Sequence, residues 1–398
     1  MILNKYFSKS ADKIYNISKG NYLYDKKGHK FLDCSFGSGT LLFGHSDNDL
    51  ITEISNQSKI SILSNQNHDL AQRLDKDLVN FFKKKREHFV YCNTGSEASQ
   101  RAIRYAREYN NKDKVLSFFG YWHGMNEWTL DGGGMTYNAV TKNVGIPEIV
   151  NKNKIQINFD LKEIENTLIK YHKVISSLIL EPIPGSNPKK PDLLILNEII
   201  MMCKRFNVVT IFDEVITGFR CNKLGISYQL VELPDIIIYG KSLGGGLPIG
   251  LISLSKKIAT ATFLKKNSQT LAGGTFSLNP LVSRVAIKFL KKINKHKFEE
   301  ENLAEKFRNN LNKYFVDQKF DIRIVGYSSI SRLIFTQDKF DNKWKRIEKE
   351  NSSNLRIKFL NKIKKKKIIY PKNGLLFHST LYKDKEFNFL KKTILECL

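Results

Sequence analysis

The stretch at residues 208–250, VVTIFDEVITGFRCNKLGISYQLVELPDIIIYGKSLGGGLPIG, constrains the fold more than any other part of the chain. It holds two short apolar, β-branched runs, 208–212 and 236–239, with the length and composition of strands buried on both faces. The first leads directly into Asp213. The second leads into Gly240 and Lys241, with a glycine run, Gly244 to Gly246, close behind. The interval between Asp213 and Lys241 accommodates a crossover and a second parallel strand. Ligands of parallel α/β sheets sit outside the carboxyl ends of the strands, so the carboxylate and the amine are expected to face one pocket. The expected fold class is α/β, with a mostly parallel central sheet flanked by helices.

A chain of 398 residues with 41% hydrophobic content buries a large core and is expected to divide into a larger and a smaller domain. The N-terminal residues carry no apolar h-region, and no stretch approaches the ~18 apolar residues of a membrane span. The expectation is a protein without signal peptide or membrane partner. The five cysteines are odd in number, scattered and without CxxC spacing. That argues against a disulfide framework or a metal site and for a cytoplasmic location. The formal charge of +26 allows two readings, a polyanion-binding surface or a bias of composition. The lysine runs at 83–86 and 364–367 are not interleaved with stacking aromatics, and Lys, Asn and Ile are abundant together. Compositional bias is the preferred reading, with steering of anionic ligands as a by-product and no nucleic-acid partner.

Further segments surround this block in a fixed order. Residues 89–91 form a short strand, 93–96 a turn, and Glu97 opens an amphipathic helix in NTGSEASQRAIRYARE. A helix start after a small glycine-containing turn presents free N–H groups and a positive dipole end, which suits phosphate. Taken alone, Thr-Gly-Ser before a helix is an ordinary N-cap. Then come GYWHG at 120–124, LILEPIPG at 178–185, the central block, and GGTFSLNP at 273–280. Residues 125–150 are glycine-rich and aperiodic, the pattern of a lid or a disordered loop.

These segments, in this order and spanning about half the chain, resemble the class III aminotransferases, pyridoxal-phosphate (PLP) enzymes of fold type I, and within them the glutamate-1-semialdehyde 2,1-aminomutase branch. The resemblance implies three parts. An N-terminal segment, 1–46, packs with the small domain. Residues 47–280 form the large PLP-binding domain with its mostly parallel sheet. Residues 281–398 form an interdomain helix and a small α+β C-terminal domain. It also implies site residues. Lys241 is the Schiff-base lysine and proton carrier, and Asp213 the partner of the pyridine nitrogen. Gly95 and Ser96 hold the phosphate, Trp122 stacks where the family has Tyr, and Val215 packs under the ring. Glu181 lies at a strand end, and Asn187 stands near the register of an Asn that reaches the cofactor's 3-hydroxyl. Thr275 matches a residue that reaches the phosphate of the other subunit, which implies a homodimer. In the aminomutases residues 125–150 correspond to a gating loop.

The substrate half departs from the pattern. No Val-Asn-Ser-Pro-Val-Arg stretch appears in residues 1–20, the acidic residue of the small domain is replaced by Lys372-Asn373-Gly374, and no arginine follows Arg356. Ser38, Arg332 and Lys372 are the remaining substrate candidates, although a lysine lacks the forked contact of a guanidinium. The expected activity is PLP-dependent amino transfer to a carbonyl substrate, with intramolecular amino transfer of the aminomutase type as the alternative. A non-enzymatic basic scaffold is the third reading, opposed by the pairing of Lys241 with Asp213.

Overall fold

The computed structural model describes residues 14–64, 66–130, 145–339 and 343–398. Three strands open it, Tyr15–Lys19 (β1), Tyr22–Asp25 (β2) and Lys30–Asp33 (β3). The central sheet is built from His88–Cys92 (β4), Lys114–Phe118 (β5), Lys154–Ile157 (β6), Ile175–Leu180 (β7), Val209–Asp213 (β8), Ile236–Gly240 (β9) and Gly250–Leu254 (β10). Arg323–Tyr327 (β11), Ile330–Ile334 (β12), Ile368–Ile369 (β13) and Leu375–Phe377 (β14) complete the strands.

The central sheet has the order β4-β10-β9-β8-β7-β5-β6. Every pair from β9 to β6 is parallel, and β10 alone runs backwards, pairing antiparallel with both β9 and β4. All residues of β7, β8, β9 and β10 are buried, which is why they are mainly apolar on both faces, with only small hydroxyl residues among them besides Asp213, rather than alternating apolar and polar. The helices Gly95–Asn110, Leu161–Tyr171 and Leu193–Arg205 connect these strands. Because β10 is the only reversed strand, the loops that follow β4, β5, β7, β8 and β9 all emerge at one edge.

The N-terminal strands belong physically to the C-terminal region. Leu32 and Asp33 of β3 pair with Ile368 and Ile369 of β13, Tyr22 Oη donates to Glu386 at 2.8 Å, and Tyr382 Oη donates to the Asp33 carbonyl at 2.8 Å. The sheet β11-β12-β14 and the helices Glu299–Asp317 and Asp384–Cys397 form the remainder of that layer. The helix Pro280–Lys295 packs across Asn48–Ser58 and Asp69–Phe81.

The helices Lys343–Asn351 and Asn354–Ile363 are separate, because Ser353 caps the second by accepting from the Arg356 N–H. His45 bonds Asp33 at 2.8 Å, and Asp47 caps the helix Asn48–Ser58. Of the lid expected over 125–150, residues 131–144 lie outside the described residues. Among the described residues no helix is long and apolar enough to cross a membrane, and no cluster of residues able to hold a metal occurs.

Candidate active site

A cavity of about 330 Å³ opens at the carboxyl edge of the central sheet. After β4 come Asn93, Thr94, Gly95 and Ser96. After β5 come Trp122, His123 and Gly124. Glu181 follows β7, Asp213 ends β8, and Lys241 follows β9. Val215, Ile216 and the segment Gly246 to Ile249 supply an apolar wall, and Thr40 reaches in from the N-terminal loop.

The helix start is capped without using its first amides. Thr94 Oγ1 accepts from the Glu97 N–H at 3.1 Å as the N-cap, while Glu97 Oε2 accepts from the N–H of Asn93, the residue before the cap, at 3.1 Å. The N–H groups of Gly95 and Ser96 stay available at the positive end of a 16-residue helix. Ser96 Oγ accepts from the Met125 N–H at 3.0 Å, which leaves its own proton to donate. Gly124, at φ 85°, lies so close to Ser96 that a Cβ there has no room.

Asp213 is buried, and each of its oxygens has one protein partner, which leaves acceptor capacity toward the cavity. One carboxylate oxygen accepts from the Val215 N–H at 3.1 Å. The other lies 2.9 Å from His123 Nδ1, and since an ionised carboxylate only accepts, the imidazole carries its proton on Nδ1. Glu181, also buried, accepts from the N–H of Trp122 at 2.8 Å and of Gly185 at 3.2 Å, and burial raises its pKa. It thereby fixes the backbone of Trp122, whose side chain faces the cavity. Lys241 sits in the left-handed region at φ 43°, uncommon for a side-chain-bearing residue and held here by the turn through Gly244. Burial lowers its amine pKa to about 8, with the charges of Asp213 and Glu181 opposing the shift. At pH 7 roughly a tenth is therefore the nucleophilic free amine, against less than about a thousandth for an ordinary lysine.

Lys241, Asp213, Gly95, Ser96, Trp122, Glu181 and Val215 thus meet in one cavity. Five other candidates do not. Asn187 is not part of the lining, and its backbone N–H bonds the Pro184 carbonyl. Ser38 is exposed, and Thr40 takes the place on the wall. Arg332 is 2% exposed and donates to the Gly185 carbonyl at 3.1 Å, behind the loop and not into the cavity. Lys372 is exposed, with its carbonyl bonded by Arg356. Thr275 is exposed beside a separate cavity of about 530 Å³, shared with Ser64 and His68. Sequence reasoning missed His123 as the partner of Asp213. Its place directly after Trp122, at the end of a strand in the same sheet, was the available signal.

An amine and a carboxylate meeting at the carboxyl edge of a mostly parallel sheet, beside an open helix start, define a PLP-dependent transferase of fold type I. The whole fold is similar to that of an omega-transaminase from Sphaerobacter thermophilus, with TM-score 0.88 and 20% identity over 98% of this chain and 92% of that chain. A glutamate-1-semialdehyde-aminomutase from Pseudomonas aeruginosa PAO1 matches with TM-score 0.81 and 17% identity over 97% and 87%. The family model for class III aminotransferases matches residues 6–328. A glutamate-1-semialdehyde 2,1-aminomutase of Methanobrevibacter smithii is 32% identical over 324 residues, 80% of this chain and 75% of that protein. One of Wigglesworthia glossinidia brevipalpis is 31% identical over 403 residues, 97% and 87%. The chain belongs to the class III aminotransferase family. It is a PLP-dependent enzyme of that class.

The pocket fits that cofactor on its own terms. Free amides and a hydroxyl at a helix start suit a dianionic phosphate, Gly124 packs so tightly on Ser96 that only a glycine lets that hydroxyl sit there, and the cavity also holds the amine of Lys241 for an aldehyde and the carboxylate of Asp213 for a ring nitrogen.

Proposed function

We propose that this chain is an aminotransferase that moves an amino group from a donor to a separate carbonyl acceptor through PLP held on Lys241. The observation that carries the reading is the cavity that unites Lys241, Asp213 and the amides of Gly95 and Ser96 while its described lining contains no arginine. The cofactor, when bound, supplies an aldehyde for the substrate amine and an electron-withdrawing ring. Lys241, with its pKa near 8, holds and moves the proton at the substrate Cα. Asp213 keeps a proton on the ring nitrogen, and the His123 bond keeps that carboxylate in place. Trp122 covers the ring face, and Val215, with Ile216, excludes water from below.

A second reading, intramolecular amino transfer, is favoured by one observation, that several relatives about 30% identical are named glutamate-1-semialdehyde 2,1-aminomutase. A single-turnover experiment with PLP-loaded enzyme and a panel of amino donors separates the two. Under the leading reading one donor bleaches the visible cofactor band and releases a stoichiometric keto product. If no donor releases a free product while glutamate-1-semialdehyde isomerises, the aminomutase reading stands instead.

We further infer a homodimer in the cytoplasm. Leu271 and Phe276, 76% and 61% exposed, flank Thr275, an apolar surface that a second copy would cover. Sedimentation is expected to give twice the chain mass, and a monomer at micromolar concentration would refute it.

A further inference from the structure

Arg220 lies in the same FDEVITGFR segment as Asp213 but outside the cavity lining. Its side chain is 0% exposed. Its three hydrogen bonds all go to neutral oxygens on distant parts of the chain. Nη1 donates to Ser329 Oγ at 3.0 Å and to the His378 carbonyl at 2.9 Å, and Nη2 donates to the Gly39 carbonyl at 2.9 Å. Its Nε has no partner among the described residues. A buried cation held only by neutral acceptors is costly, so its retention calls for a physical role.

The acceptor that matters is Gly39. The same carbonyl accepts from Ser242 Oγ at 3.4 Å, and Ser242 follows Lys241 directly. Gly39 also ends a run of four left-handed residues, Phe36, Gly37, Ser38 and Gly39, at φ 47°, 60°, 58° and 86°. Two of these bear side chains, a conformation that persists only where the surroundings enforce it. Gly39 presses on the Phe377 ring, where an added Cβ would lie 2.7 Å away. The next residue, Thr40, stands on the pocket wall.

We propose that Arg220 is a positioning residue of this active site. Its guanidinium holds the Gly39 carbonyl, locks the left-handed run against the Lys241–Ser242 turn, and so sets where Thr40 meets the substrate. The inference rests on the reading of the Lys241 pocket given above. The charge adds a second effect. Among the charged groups acting on Lys241, Asp213 and Glu181 favour its protonated form, whereas Arg220 opposes it.

The test uses the full chain with Arg220→Lys and Arg220→Gln, and PLP itself as the probe. Hydrogen exchange of the peptide covering residues 34–42 is expected to accelerate about tenfold or more in both variants, with the central sheet unchanged. Neither substitute forks to two acceptors as a guanidinium does. The rate of visible-band formation with PLP, followed against pH, is expected to have its midpoint near 8 in the parent chain. That midpoint stays put in Arg220→Lys and moves up in Arg220→Gln, where the charge is gone. Parent-like exchange in both variants overturns the proposal, and so does an equal midpoint shift in both. Should both variants fail to fold, Ser242→Ala is expected to give a smaller increase in the same peptide, and no increase overturns the proposal. If the parent chain forms no band at any pH, the pocket reading fails while the exchange measurements still decide the role of Arg220.

Discussion

Replacing Lys241 by alanine is expected to lower turnover by about 10⁴-fold or more and to remove the visible band that PLP forms with the protein. The magnitude follows from two losses at one atom. The amine is both the nucleophile that captures the aldehyde and the base that carries the proton, and no other lysine lines the cavity among the described residues. The phosphate cradle at Gly95 and Ser96 is untouched, so the variant still retains PLP through that end, detectable by filtration. Folding is not the cause of the loss. The left-handed backbone at φ 43° is carried by the turn and not by the amine, and circular dichroism is expected to superimpose on the parent. Normal turnover by Lys241→Ala would remove the mechanism.

Exchanging Asp213 for asparagine is the second large effect, roughly 10²–10³-fold in turnover, the range for removing one preorganised electrostatic group. Asparagine has the same shape, and its carbonyl oxygen still accepts from His123 Nδ1 or the Val215 N–H. What it lacks is the charge that keeps a proton on the ring nitrogen. Capture of PLP by Lys241 is therefore expected to persist while proton movement at Cα slows. Deuterium washout from a Cα-labelled donor measures that step directly, and sedimentation is expected to match the parent. An unchanged washout rate would show that the carboxylate has no part in the reaction.

The two kinds of site residue differ in how legible they were. Lys241, Asp213 and Glu181 follow strands buried on both faces, and such strands announce themselves as apolar runs whose carboxyl ends must share one edge. Gly95 and Ser96 were legible only through their register with the other motifs, since Thr-Gly-Ser before a helix is by itself an ordinary N-cap. Thr40 was not, because it reaches the pocket only through the left-handed run before it and through Arg220, whose acceptors lie far along the chain. His123 was placed in the right turn yet not paired with Asp213, since β5 and β8 are separated by β7 and sequence alone does not fix that order. Arg332 was weighed as an anion-binding residue from its charge. Its donation to Gly185 and its deep burial follow from β12 packing behind the Glu181 loop, a tertiary contact without a local signature. Strand β10 was missed for a similar reason, as its reversed direction is set by pairing between β9 and β4 and not by its composition.

The central claim is that one particular amine in this basic chain, which has 65 lysines and arginines in all, captures the cofactor. Incubation with PLP, reduction with borohydride and peptide mapping by mass spectrometry test it most directly. One pyridoxyl group per chain on the peptide containing Lys241 is the predicted result. Label spread over surface lysines, with that peptide unmodified, would contradict it.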